Sequence, residues 1–160
     1  MRICGIDPGA NGAICVLDNK APAYIALLDL KKYSTYDIAE WLRTELLHPD
    51  GYQIWIEKIH SLYGMSAKSN FSFGRNLGTI TAIAEIVGHH QTIKTVPPKI
   101  WQRFVGVTER GKRIKIQVAN IATALYPTAN LRGKQGGLLD GRSDALMIAH
   151  YGLYLSLIHI

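Results

Sequence analysis

The sequence has little cysteine and no long apolar run, and these two absences narrow the classes of protein it can encode. Its two cysteines, Cys4 and Cys15, form no CxxC pair and have no metal-ligand spacing, so we interpret them as reduced core residues. No apolar run approaches the roughly 20 residues that a membrane span needs, and the N-terminus lacks the extended apolar core of a signal peptide. We therefore expect a cytoplasmic protein without a membrane partner.

Acidic residues are scarcer than basic ones. Asp and Glu total 12 against 18 for Lys and Arg, which gives a formal net charge of +6 and a pI near 9.4. A basic balance favours a polyanionic partner, and nucleic acid is the first candidate.

The 160 residues suffice for one compact domain, and we assign it to residues 1–154. The final LSLIHI (155–160) matches one reading frame of a common sequencing adapter, and we expect it to be a non-native tail.

Short apolar runs separated by turn signals predict strands first and alternating helices and strands afterwards. The predicted strands occupy residues 2–7, 13–18, 23–30, 52–57 and 92–96. The predicted helices occupy residues 35–47, 77–88, a short segment from 97, 112–126 and 141 onward, and we interpret 61–75 as a loop. This order predicts an α/β protein with a mixed five-stranded sheet flanked by helices.

Four carboxylates stand where strands end or where the last helix begins. Asp7 closes the first strand, Glu57 closes the fourth, and Asp140 and Asp144 share one face of the last helix. If the first and fourth strands are neighbours, these side chains meet at one sheet edge, where their repulsion needs compensation. An all-oxygen ligand set favours Mg²⁺ or Mn²⁺ over zinc. Each acid also has an ordinary interpretation, as a turn residue, a strand end or a helix cap.

Other residues have the composition of a nucleic-acid contact. The segment 60–76 interleaves cations and amides with aromatic rings, although those rings could equally anchor a polar loop to the core. The sequence ERGKRIK (109–115) places cations at a helix start, against the helix dipole, which favours a phosphate-binding patch. The residues predicted to contact DNA are His60, Lys68, Asn70, Phe71, Phe73, Arg75, Asn76, Lys112, Arg113 and Arg142.

Several motifs occur in the order seen in the RuvC-like Holliday junction resolvases. They are GIDPGANGAICVLD, IWIEKIHSLYGMSAKSNFSFGRNLG, VPPKIWQRFVG, KIQVANIATALYP and DGRSDALMIAHYG. The sequence resembles the phage-type members most, from Ile3 to Tyr154, and resembles them least between residues 18 and 50. The resemblance implies an RNase H-like fold, a homodimer, branched DNA as partner and Mg²⁺-dependent nicking of four-way junctions. It also implies two Mg²⁺ ions, with Mn²⁺ as a substitute, and no small-molecule cofactor.

The resemblance assigns roles to individual residues. The family's metal-binding carboxylates correspond to Asp7, Glu57 and Asp144, and a family lysine near the scissile phosphate corresponds to Lys115. The bacterial enzymes carry a further acid or histidine three residues before the final aspartate, where this chain has Gly141. We assign that role to Asp140, which lies on the same face of the helix as Asp144.

We therefore expect a structure-selective endonuclease that makes paired symmetrical nicks, and some alternatives stay open. His60 stands where the bacterial enzymes carry an aromatic residue that stacks on the opened junction, so Phe71 or Phe73 could take that role instead. The chain could also be a catalytically decayed junction binder or a flap- or RNA-directed nuclease of the same fold. A nucleotide-binding protein of the actin and sugar-kinase type needs two such domains and a second phosphate loop, for which this chain has no convincing counterpart.

Overall fold

A computed structural model describes residues 1–58, 64, 66–88 and 93–158. Within these ranges the strands are β1 Arg2–Asp7, β2 Ala13–Asp18, β3 Ile25–Asp29, β4 Tyr52–Glu57 and β5 Ile93–Val96. The α-helices are α1 Thr35–Leu46, α2 Ala67–Val87, α3 Pro98–Phe104, α4 Arg113–Leu125 and α5 Asp140–Ile158, and a short 3₁₀ helix covers Leu30–Lys32. None of the helices in the described part of the chain combines the length and apolarity that crossing a bilayer requires.

The strands form one mixed five-stranded sheet, as the sequence predicts, and the structure gives their order as β3-β2-β1-β4-β5. The three N-terminal strands pair antiparallel, whereas β4 pairs parallel to β1 and β5 pairs parallel to β4. β3 therefore runs in the same direction as β1, β4 and β5. The carboxyl ends of these four strands lie at one edge of the sheet, which we call the acidic edge because Asp7, Asp29 and Glu57 end strands there.

Helices cover both faces of the sheet, and the strands divide their apolar side chains between the two layers by strict alternation. On one face, Ile3, Cys15 and Trp55 pack with α3, α4 and α5. On the other face, Cys4 and Ile54 pack with α1 and α2. Both cysteines are buried and unpaired, which confirms their interpretation as reduced core residues.

Helix α5 lies directly against β1 because Gly5 leaves room for its backbone. A Cβ atom at Gly5 would lie 2.3 Å from both the Ala145 carbonyl oxygen and the Ala149 nitrogen. Residues 145–149 are all fully buried, so this helix is the central element of its layer. The close approach fixes the start of α5 above the acidic edge.

The interpretation of residues 61–75 as a loop is wrong for the part that the structure describes, because α2 begins at Ala67. The Ser66 side chain accepts a hydrogen bond from the Ser69 amide at 3.2 Å and caps the helix. The buried residues of α2 are Ile80, Ile83 and Ala84, so its first turns lack the apolar stripe that helix prediction depends on.

His60, one of the residues predicted to contact DNA, lies outside the described residues.

Candidate active site

Asp7 and Glu57 leave neighbouring strands at the same level. The parallel register of β1 and β4 pairs Ile6 with Ile56, so the next residue of each strand emerges at the acidic edge. Asp7 Oδ1 accepts a hydrogen bond from the Gly9 amide at 2.9 Å, which fixes the carboxylate in the β1–β2 turn. Both acids are nearly inaccessible to solvent, with exposures of 9% and 6%. The structure thus brings together the two strand-end acids that the sequence places in one site.

The start of α5 contributes Asp140 as its first residue and Asp144 one turn later. Between them, Gly141 packs against the β1–β2 turn, and a Cβ atom there would lie 2.0 Å from the Asn11 carbonyl oxygen. No side chain fits at position 141 in this arrangement. The family's acid or histidine at that position is therefore sterically excluded here, and Asp140 is the acid available beside it.

Burial and mutual repulsion show that these carboxylates form one electrostatic cluster. Burial raises the pKa of Glu57 to about 7, with a further contribution from the charge of Asp7. Burial also raises the pKa of Asp144 well above its ordinary range, and the charges of Asp7, Glu57 and Asp140 add to that effect. The pKa of Asp7 is raised by burial and by Asp140, against the opposing hydrogen bond from Gly9. The protein surroundings therefore do not fully compensate the charge that these acids carry when all of them are ionised.

Lys115 is the cation that faces this cluster. Its Nζ donates a hydrogen bond to Asp140 Oδ2 and forms an ion pair with it. That hydrogen bond raises the pKa of Lys115, and the charges of Asp144 and Asp7 raise it further. The lysine that the sequence assigns to the site therefore lies beside the acids, with its ammonium group held by Asp140.

Trp101 is a site residue that sequence reasoning misses. Its side chain is fully buried. Its indole Nε1–H, however, donates a hydrogen bond of 2.9 Å to Glu57 Oε1, which orients that carboxylate and lowers its pKa against the effect of burial. The sequence does carry one signal for this role, because α3 follows β5 directly and β5 ends at the acidic edge.

The donor set suits a hard divalent cation in chemistry and in charge. All four groups are carboxylates, which Mg²⁺ and Mn²⁺ prefer, and the buried members have no cationic partner besides Lys115 among the described residues. As the side chains stand, no group of three or more His, Cys, Asp or Glu residues in the described ranges is arranged to hold an ion. Asp140 is bound to Lys115 in this arrangement, and the charges of neighbouring acids contribute to the raised pKa values of Asp7, Glu57 and Asp144.

The predicted DNA-contacting residues occupy two separate surfaces. On α2, Lys68, Phe71 and Arg75 are exposed, with Phe71 at 74%, while Asn70, Phe73 and Asn76 are partly buried. Near α4, Lys112 is exposed and lies just before the helix, and Arg113 forms an exposed ion pair with Glu109 at 3.3 Å. Their roles toward DNA stay predictions.

Arg142 has a different environment from the one that the sequence suggests. Its side chain is 14% exposed, and its Nε and Nη2 atoms donate to Asp29 Oδ1 at 2.6 Å and Oδ2 at 3.0 Å. Its Nη1 atom donates to the Asn130 carbonyl oxygen at 2.7 Å. All three nitrogens have partners inside the protein, so Arg142 links α5 to the end of β3, and its contact with DNA stays a prediction.

Two solved structures share this fold over nearly the whole chain. A T. thermophilus RuvC in complex with Holliday junction substrate has a TM-score of 0.59 and 13% identity, over 98% of this chain and 96% of that one. The chain has the RuvC fold. A second Thermus thermophilus RuvC structure gives a TM-score of 0.57 and 15% identity over the same shares. No protein-family model and no curated protein matches the sequence. The RNase H-like fold is thereby confirmed, and membership of the phage-type group stays a prediction.

Proposed function

We propose that this chain is a metal-dependent endonuclease that resolves four-way DNA junctions as a homodimer. The observation that carries the proposal is the undercompensated carboxylate cluster of Asp7, Glu57, Asp140 and Asp144 at the open edge of a RuvC fold. One of the solved RuvC structures that shares the fold is a complex with Holliday junction substrate, which supports branched DNA as the partner.

The four carboxylates would hold Mg²⁺, as two ions, with Mn²⁺ as a substitute. Bound Mg²⁺ supplies Lewis-acid stabilisation of the phosphodiester and a water activated for attack on phosphorus. Asp7 is already fixed by the Gly9 amide and Glu57 by the Trp101 indole, so two of the four ligands need little reorganisation. Fixing ligands in this way is the usual function of residues around a metal site.

Lys115 has two partners available in this scheme. In the free protein its ammonium group neutralises Asp140. If Asp140 served as a ligand of a bound cation, Lys115 would lose this partner and could neutralise charge that develops on the scissile phosphate. The Lys115 side chain is 61% exposed and is therefore accessible to a DNA backbone.

The wider charge distribution also suits DNA. The chain carries a net charge of +6 even though several of its 12 acids are concentrated at the acidic edge. Exposed cations lie on α2, at Lys68 and Arg75, and just before α4, at Lys112. A metal nuclease needs this charge pattern, in which cations hold the DNA phosphates and a central group of acids holds the metal.

A homodimer is supported by the apolar surface of α2. Ile86, near the C-terminal end of this helix, is 77% exposed, whereas Ile80 and Ile83 pack into the core. Two sites related by a twofold axis would make the two symmetrical nicks that junction resolution requires.

The test is a comparison of substrates with the purified wild-type chain. End-labelled four-way junction, linear duplex, 5′ flap and RNA–DNA hybrid are each incubated with and without Mg²⁺, and the cut positions are mapped. We expect paired nicks in the junction alone, dependent on Mg²⁺, with 5′-phosphate ends. Preferential cutting of the flap or hybrid would assign the chain to a differently selective nuclease, and tight junction binding without any cutting would make it a decayed binder.

A further inference from the structure

A cleft of about 630 Å³ opens beside the acidic edge, on the face of the sheet that α1 and α2 cover. One wall is formed by the β1–β2 turn, the 3₁₀ helix and the start of α1, and the other by the middle of α2. The residues that carry the chemistry of this cleft are Lys31, Tyr33, Arg75, Asn76 and Thr79. None of the carboxylates of the candidate active site lines it.

The cleft is positively charged. Lys31 and Arg75 approach it from opposite walls, and no carboxylate is among the described residues that line it. Lys31 donates a hydrogen bond of 3.0 Å to the neutral Asn11 side chain, and Arg75 forms no ion pair with any side chain in the described ranges. The neighbouring Lys32, by contrast, is paired with Asp29. Lys31 and Arg75 face the same opening, and neither has an acidic partner among the described residues, so the cleft favours an anionic ligand.

The cleft also offers an aromatic ring and neutral hydrogen-bonding groups. Tyr33 lines it and is 51% exposed, so one ring face is accessible. Asn76 and Thr79 on α2 provide an amide and a hydroxyl group. Cations that track phosphates, together with an aromatic ring on which a base can stack, are the features of a single-strand binding groove.

The cleft and the candidate active site border the same β1–β2 turn. Ala10 lines the cleft and lies three residues after Asp7, and Lys31 contacts Asn11 of the same turn. We propose that this cleft binds the DNA strand that leaves the carboxylate cluster, with Lys31 and Arg75 on its phosphates and Tyr33 stacked on a base. The inference rests on the proposed function, since it concerns the path of the same substrate.

The test compares two double variants with identical changes in charge. Lys31→Gln/Arg75→Gln removes both cations of the cleft, and Lys20→Gln/Arg43→Gln removes two exposed cations near the opposite edge of the sheet. Binding of a labelled four-way junction is measured without divalent metal over a range of salt concentrations. We expect the cleft variant to bind the junction at least about 10-fold more weakly than the wild type. The slope of log binding constant against log salt concentration should fall in magnitude by about 2. The control variant should change the affinity by less than about 2-fold.

Two local measurements make the test independent of variant folding. Acetylation of Lys31 in the wild-type protein should be suppressed by bound junction, with Lys20 as the internal control. Tyr33→Ser should weaken binding of the junction, whereas Tyr36→Ser, at a 72% exposed tyrosine that does not line the cleft, should leave it unchanged.

The outcomes separate the cleft from the proposed function. If the wild-type chain binds and cuts the junction but the two double variants behave alike and Lys31 stays reactive, the cleft inference is overturned and the nuclease stands. If the wild-type chain binds no DNA, the proposed function fails and the inference falls with it. Suppression of Lys31 acetylation by RNA but not by junction DNA would overturn the assignment to a DNA strand.

Discussion

Arg142 at the start of α5 binds Asp29 at the end of β3 through two hydrogen bonds, Nε to Oδ1 at 2.6 Å and Nη2 to Oδ2 at 3.0 Å. Arg142 lies midway between Asp140 and Asp144 in the sequence. The ion pair therefore ties the helix turn that carries two acids of the cluster to the sheet edge that carries the others.

Replacement of Arg142 by alanine should destabilise the fold. The substitution leaves Asp29, which is 9% exposed, without its bidentate partner, and we expect the free energy of unfolding to fall by about 2–4 kcal/mol. Urea denaturation followed by circular dichroism measures this loss. Arg43→Ala is the matched control, because it removes an exposed ion pair with Glu40 and should change stability by less than about 1 kcal/mol. Equal effects of the two substitutions would contradict a structural role for Arg142.

The same ion pair predicts an acid-sensitive contribution to stability. The hydrogen bonds from Arg142 hold the pKa of Asp29 below its ordinary value of 3.8. An acid whose pKa is lower in the folded state adds stability above its unfolded pKa, and this contribution is lost as pH falls through the folded pKa. The stability difference between wild type and Arg142→Ala should therefore be full at pH 7 and decrease progressively as the pH falls below 3.8, in urea titrations over that range. A difference that does not change with pH would count against the ion pair as its source.

Gly5→Ala should disrupt the contact between α5 and β1. The new methyl group would lie 2.3 Å from the backbone of Ala145 and Ala149, so the helix must shift, at a cost of about 1–3 kcal/mol or more. Gly78→Ala is the control, because nothing lies within 4 Å of its Cβ position and alanine favours helix α2. Thermal unfolding should show a lower midpoint for Gly5→Ala and an equal or higher one for Gly78→Ala. A stable Gly5→Ala protein would contradict the close approach.

Trp101→Phe should weaken metal binding while it preserves most of the core. It removes the hydrogen bond that orients Glu57 and opposes the rise of its pKa to about 7. We expect Mg²⁺ affinity at pH 7 to fall by about 10-fold, measured by isothermal titration calorimetry. The loss should be smaller at pH 8.5, where Glu57 is ionised in both proteins. Trp41→Phe, on α1 and away from the acids, should not change affinity, and a pH-independent loss in Trp101→Phe would indicate a packing defect instead.

The sheet and the four acids were predictable from the sequence because they depend on local signals. β1, β2 and β4 have the bounds that apolar runs and turn residues give them, and Asp7 and Glu57 end their strands as predicted. The position of Asp144 one turn after Asp140 follows from helix geometry alone.

The contacts that hold the acids in place were not predictable, because they join distant segments. Arg142 and Asp29 are 113 residues apart, and Trp101 and Glu57 are 44 apart, so no periodicity links them. The start of α2 was missed for a different reason. Its first turns are mostly exposed, and exposed turns have no apolar spacing by which a helix can be recognised.

The measurement that tests the central claim most directly compares cleavage and binding of a labelled four-way junction by the wild-type chain and by Asp144→Asn, with and without Mg²⁺. Asp50→Asn, at an exposed acid near the opposite edge, serves as the control. The account predicts Mg²⁺-dependent paired nicks by the wild type and the control, and at least about 100-fold slower cleavage by Asp144→Asn with junction binding retained. Cleavage by Asp144→Asn at the wild-type rate would contradict it.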